Sequence, residues 1–171
     1  MVTLSDARID ELIAEDVPYI DLTSHILGVD TQAGAMEYFT REACVLAGGE
    51  VASRIATKLG CVVTNILPDG TALEAGQSFM TIGGTAAQLH QAWKVCLNVF
   101  DHLSAVATKT RAMVDDAHAA NPSCEVLTTR KSMPGVKDLL VEATIVGGAF
   151  PHRLGLSETV LVFDHHLSFM G

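Results

Sequence analysis

No proline or glycine interrupts residues 86–119. Apolar side chains recur there at Leu89, Trp93, Leu97, Phe100, Leu103, Val106, Ala107, Met113 and Val114, the spacing of one long helix or of two abutting helices. Asn121-Pro122 closes the run, and the grammar on its two sides differs. Before it, turns and short apolar segments predict a small sheet; after it, strand and helix alternate.

On the first side, Ser5 is the expected N-cap of a short helix over about 6–15, ended by Pro18. Residues 19–24 read as a short extended segment. Strand pairs are expected over 35–47 and a helix over 50–59 with Gly60 as its cap. A β-rich segment follows at 61–67. Turn signals stand at Pro68-Asp69-Gly70 and Ala75-Gly76, and a third strand at 79–82 precedes Gly83-Gly84. Residues 35–84 therefore predict a small sheet with an inserted helix.

Beyond Pro122, residues 125–129 predict a strand, and Pro134-Gly135 opens a helix through 146, with proline in its first turn. Gly147-Gly148 ends that helix. Residues 159–162 predict a second strand, nearly all apolar, as a parallel strand buried on both faces would be. Strand, helix, strand is a βαβ unit. A closed (β/α)₈ barrel takes roughly 250 residues. About 50 residues follow Pro122, so the chain is expected to be the front part of a longer protein. The fold class is α/β: an N-terminal α+β domain with a small mixed sheet over 1–118, the long helix included, then the start of an open α/β barrel over 119–171.

The formal net charge is −9, which argues against a nucleic-acid surface, since phosphate backbones need clustered Lys and Arg. The cysteines, Cys44, Cys61, Cys96 and Cys124, form no CxxC pair, so a structural zinc site is not expected. Each lies in an apolar stretch, and buried free thiols in a reducing cytosol are the expectation. No basic, then apolar, leader opens the chain, and no run of about 18 apolar residues occurs, so neither export nor a membrane span is expected.

Polar groups cluster at 128–166, just past the strand ends. Thr128-Thr129-Arg130-Lys131 follows the first expected strand and Asp164-His165-His166 the second, with His152-Arg153 in the loop between. Ligands bind at the carboxyl ends of parallel strands, where loops and helix N-termini converge. Arg130 and Arg153 can each grip a carboxylate or phosphate through two parallel hydrogen bonds, and Lys131 and His152 add point donors. The helix beginning at Pro134-Gly135 could turn free N–H groups toward a phosphate. The sum predicts a site for a small polyanion; the alternative is a solvated basic loop. No metal site is assigned to Asp164-His165-His166, because adjacent histidines on an extended segment point to opposite sides.

The run LTTRKSMPGVKDLLVEATIVGGAFPHRLGLSETVLVFDHH, 127–166, resembles the core of quinolinate phosphoribosyltransferases, in which TRK, PG, GG and HRxGLSD/E elements occur in this order and spacing. CLNVFDHLSAVATKT, 96–110, resembles that family's LNFLQxLSGIAT helix, and YIDLTS, 19–24, its DLTT element. Within the family the resemblance points to the branch encoded beside molybdate-transport genes. It implies an N-terminal sheet-and-helix domain, an open α/β barrel and a homodimer whose active site is shared between subunits. It implies transfer of phosphoribosyl from phosphoribosyl pyrophosphate, with magnesium, to the ring nitrogen of a pyridine carboxylate, releasing pyrophosphate and, for quinolinate, carbon dioxide. By motif, Arg130, His152 and Arg153 would hold the acid's carboxylates and Lys131 would face the phosphoribosyl donor, with Arg130 and Lys131 as the catalytic pair and His166 at the substrate.

Three positions depart from the pattern. The family's cross-subunit arginine is Lys94, which keeps charge but loses the fork. Its carboxylate-binding lysine before the DNH element is Phe163, and the asparagine of that element is His165. These changes point away from quinolinate as the acceptor. The family's acidic residues for magnesium and the ribose hydroxyls come from later strands, so magnesium ligands are expected outside this chain. A second reading is a non-catalytic small-anion binder linked to molybdenum handling.

Overall fold

The structure is a computed structural model that describes residues 3–170. Helix α1 (Asp6–Asp16) opens it, and the Ser5 hydroxyl accepts the Arg8 N–H as its N-cap. Residues 19–24 are not extended. Helix α2 (Leu22–Leu27) starts inside them because the Asp21 carboxylate accepts the Ser24 N–H at 3.2 Å and caps a new helix. Gly28, at φ +65°, ends it.

Strand β1 (Ala33–Phe39), β3 (Val62–Ile66) and β5 (Ser78–Thr85) form a sheet in the order β1-β5-β3, and β2 (Cys44–Val45) pairs with β4 (Ala72–Leu73). Every ladder here is antiparallel. The expected helix is α3 (Gly49–Lys58), inserted as predicted. The Asp69 carboxylate reaches back from the 68–70 turn to accept the Gly49 N–H at 2.8 Å, and its burial pushes its pKa up from the ordinary value. Gly83-Gly84 is not a turn. The pair continues β5, opposite Gly34 and Ala35 of β1, and a Cβ on Gly84 would meet the Gln88 side chain at 2.9 Å.

The proline- and glycine-free run is one helix, α4 (Ala86–Ala120). Thr85 and Gln88 cap it reciprocally, satisfying two of the N–H groups that a helix start leaves without partners. Its inner stripe, with Leu89, Val95, Cys96, Val99, Phe100 and Leu103, is buried against α3 and the sheet. Phe79 and Phe100 meet edge to face at 4.8 Å and Tyr38 packs beside both. Burial pushes the Tyr38 phenol up, and the Cys96 thiol up to about 12, so both are neutral core groups. Of the four free cysteines only Cys61 and Cys96 are buried; Cys44, in the two-residue strand β2, and Cys124, in the connection between α4 and the strand that follows, sit half-exposed.

After α4 come β6 (Leu127–Thr128), α5 (Lys137–Val146), β7 (Phe150–Pro151) and a single helical turn, α6 (Asp164–Leu167). β6 and β7 are parallel, so strand, helix, parallel strand is present, but with a different second strand from the one predicted. Residues 159–163 carry no strand; Val160 is 91% exposed. The first carbonyl of the segment, that of Thr159, is taken by the Arg153 guanidinium, which also donates to the Leu156 carbonyl just before it. Helix α5 also begins later than expected: Pro134-Gly135 forms a turn, with Gly135 at φ +86°, before the helix starts at Lys137.

Two glycines let α5 lie on α4. A Cβ on Gly147 would stand 2.5 Å from the Thr110 Cβ and 2.8 Å from the Ala107 carbonyl oxygen, and Gly148 takes φ +98°. Arg111 of α4 donates to the carbonyls of Gly147 and Val146 at 3.0 and 3.2 Å, closing the end of α5. Gly147→Ala should cost about 1–3 kcal/mol through overpacking against backbone that cannot yield. At about 2–4 °C per kcal/mol for a chain of this size, the thermal midpoint falls by roughly 2–12 °C. Calorimetric unfolding checks this, and a midpoint within a degree of the unaltered protein would mean the two helices can part without penalty.

Candidate functional site

The two short parallel strands set the site. Phe150 N–H bonds to the Val126 carbonyl at 3.0 Å and His152 N–H to the Thr128 carbonyl at 3.1 Å, so both strands end at one level. Arg130 and Lys131 leave the end of β6, and His152 and Arg153 leave the end of β7. The Thr129 hydroxyl accepts the Lys131 N–H at 3.3 Å and bends the chain as it leaves the strand.

These four side chains line one cleft of about 1000 Å³, together with Phe163 and His166. Six of the residues singled out in the sequence thus meet in one place. Lys137, the first residue of α5, joins them. Sequence reading missed it because the helix was taken to begin at Pro134; with the start at Lys137, that side chain turns into the cleft. No Asp or Glu lines the cleft among the described residues, in a chain of net charge −9. The concentration of cations is local and opposes the charge of the whole.

Arg130, Lys131 and His152 are exposed, while Arg153 is half-buried. Arg153 does not present a free fork. One of its terminal nitrogens donates to the Leu156 and Thr159 carbonyls at 3.3 and 2.9 Å, and its Nε is buried with no partner among the described residues. Beside it, Glu158 accepts the N–H groups of Gly155 and Leu154, which hold its carboxyl below the ordinary range; Lys137 and Arg153 add to that. Arg153 and Glu158 therefore shape the 154–159 loop that forms one wall.

Part of the lining is aromatic. Phe163 and His165 stack at 5.3 Å with ring planes 11° apart, and the two histidine rings lie 4.4 Å from each other. His165 and His166 do not point to opposite sides, because 164–167 is a helical turn and not extended chain. The His166 Nδ1 accepts the Phe163 N–H at 3.0 Å, which fixes that ring as a backbone cap. Lys94 is not in this cleft. It lies with Arg41 and Lys109 in a second cleft of about 770 Å³ between α4 and the β1–β2 connection, its ammonium 4.9 Å from the Trp93 ring centre.

Residues 21–104 match the quinolinate phosphoribosyl transferase N-terminal domain and residues 106–171 the C-terminal domain of the same enzyme family. The chain belongs to the quinolinate phosphoribosyltransferase family. The two matched segments meet inside α4. ModD of Rhodobacter capsulatus, named as a pyrophosphorylase, is 38% identical over all of this chain and 66% of its own length. ModD of Pasteurella multocida is 35% identical over 99% of this chain and 60% of its own. The carboxylating nicotinate-nucleotide pyrophosphorylase of Mycobacterium leprae is 32% identical over 98% of this chain and 63% of its own. The crystal structure of NadC from Streptococcus pyogenes superposes with a TM-score of 0.88 at 28% identity, over 96% of this chain and 60% of that one. The chain thus spans about 60% of the length of these curated relatives. No helix among the described residues is long and apolar enough to cross a membrane.

Proposed function

We propose that the protein is a phosphoribosyltransferase that moves the phosphoribosyl group of phosphoribosyl pyrophosphate to the ring nitrogen of an aromatic carboxylate and releases pyrophosphate. The observation that carries this reading is the convergence of Arg130, Lys131, Lys137, His152 and Arg153 on one cleft. Donor, acceptor and leaving group are all anionic, while the ribosyl carbon gains positive charge as the bond to pyrophosphate lengthens. Placed cations that strengthen their hold on the departing pyrophosphate lower that barrier. Arg130 and His152 orient the acid; Lys131 faces the donor. Arg153, with one terminal nitrogen tied to the 154–159 loop, meets the acid with the other.

Magnesium enters as the counter-ion of the donor. The cleft lining offers it no carboxylate, and no group of three or more His, Cys, Asp or Glu among the described residues could hold an ion, so no step is assigned to it. Lys94, outside the cleft, fits a homodimer in which it reaches the partner's site. Four free cysteines support a cytoplasmic setting.

The test incubates the protein with phosphoribosyl pyrophosphate, magnesium and a panel of pyridine carboxylates and follows pyrophosphate. Release that depends on an acceptor is the expected result. Tight binding without release would instead favour a small-anion binder linked to molybdenum handling, the reading that the lack of a carboxylate in the cleft supports.

A further inference from the structure

Arg8 lies on α1, outside the cleft, and is 127 positions from the residue it grips most closely. Its guanidinium donates to the Gly135 carbonyl, stands 3.3 Å from the Asp138 carboxylate and pairs with Glu11 at 2.9 Å. The side chain is 22% exposed, so these contacts are partly shielded from water. Gly135 and Asp138 flank Lys137, whose side chain lines the cleft. Asp138 also accepts the Leu139 N–H at 2.9 Å, so the residue Arg8 holds belongs to the first turn of α5.

The connection that Arg8 grips has little else to fix it. Every residue from Lys131 to Gly135 is exposed, and Met133 is 70% exposed. Val136 caps α5 without a side-chain hydrogen bond. Among the described residues, the hydrogen bond from Arg8 to Gly135 is the one that this connection receives from another element. A loop with few buried contacts opens at low cost, and two of the cleft's cations, Lys131 and Lys137, sit at its two ends.

We infer that Arg8 is a positioning residue for the anion site, acting through Gly135 and Asp138 to hold Lys131 and Lys137 on one wall of the cleft. The inference rests on the anion-binding reading above. A guanidinium suits the task because it donates in two directions in one plane, to a carbonyl and to a carboxylate at once. A lysine could meet Asp138 or Gly135 with its single nitrogen and would restore part of the hold.

The probe is inorganic pyrophosphate, titrated by calorimetry into the protein and its variants well below their thermal midpoints, with the midpoints measured alongside. Arg8→Ala should weaken pyrophosphate binding by about 5- to 30-fold, the span of one to two kcal/mol. Arg8→Lys should recover part of that loss. Glu11→Gln, which removes the Arg8 partner that lies away from the connection, should stay within about twofold of the unaltered protein. Should Arg8→Ala fail to fold, Asp138→Asn carries the test, because it retains an oxygen to accept the Leu139 N–H and gives up the charge Arg8 pairs with. A purely structural role lowers the midpoint and leaves the affinity of the folded protein unchanged; that result in both Arg8→Ala and Asp138→Asn overturns the inference alone. No binding by the unaltered protein overturns the anion-site reading and this inference with it.

Discussion

Arg130→Ala is expected to weaken the binding of an aromatic carboxylate by about 2–5 kcal/mol, which is the cost of truncating one partner of a desolvated, hydrogen-bonded charge pair. Arg130 is exposed on the lip of the cleft, so the size of the loss depends on how far the bound acid excludes water. The lower figure is already about a 30-fold change in affinity. The loss also depends on who can replace it. His152 emerges at the same level from the neighbouring strand but offers a point donor, and Arg153 has a terminal nitrogen committed to the Leu156 and Thr159 carbonyls. Neither can present two parallel hydrogen bonds to the same carboxylate. Arg130→Lys should therefore recover charge and not geometry, and fall between the two. Calorimetric titration with nicotinate or quinolinate decides it. An affinity within about twofold of the unaltered protein would take Arg130 out of the acid site and leave Lys131 and Lys137 as the anion contacts.

Much of this fold was legible because the N-terminal elements carry local signals. Ser5 caps α1, the 68–70 turn closes between β3 and β4, and α4 shows an unbroken helical stripe. Each is decided within a few residues of itself, where periodicity and capping suffice. The resemblance did more than periodicity could for the site: TRK and HR look like surface loops until β6 and β7 bring them together.

What failed has a common cause. The extended reading of 19–24 overlooked Asp21, a capping residue whose oxygen satisfies the Ser24 N–H and starts α2. Residues 159–163 look like a buried strand by composition, yet apolar side chains do not make a strand without a neighbour to pair with. Here Arg153 takes up a carbonyl of that segment and Glu158 folds back on the loop before it. Pro134-Gly135 suits a helix start as well as a turn, and the positive φ of Gly135 chose the turn. In each case a contact made by one polar side chain, Asp21, Arg153 or Arg8, outweighed a preference that sequence pattern alone assigns. Lys137 became a cleft residue for the same reason.

Phe163 is expected to set acceptor choice, and its exchange for lysine should raise quinolinate affinity by one to two decades. The ring is half exposed and lines the same cleft as the cations, stacked on His165. Resemblance to the family places a carboxylate-binding lysine at this position. A dicarboxylate bound with one acid group on Arg130 and His152 would turn its second toward this wall. An acid group left without a partner against an aromatic face costs about 1–3 kcal/mol or more, which is roughly one to two decades at 1.4 kcal/mol per tenfold. A monocarboxylate meets no such penalty, since its uncharged edge lies on Phe163 and gains from the contact with the ring. The His166 Nδ1 already accepts the Phe163 N–H, so that ring can offer the dicarboxylate only the single donor of its Nε2, not the charge of an ammonium. The unaltered protein should therefore prefer a pyridine monocarboxylate to quinolinate, and Phe163→Lys should reverse or level the two. Titration of both proteins with both acids reads the difference directly. Equal quinolinate affinity in the two proteins would mean that the ammonium does not reach the acid or that the acid does not face this wall, and either result removes Phe163 as the element of choice. A parallel rise for the monocarboxylate would point instead to a general gain in cleft charge, since a specific partner for the second carboxylate should help only the acid that has one.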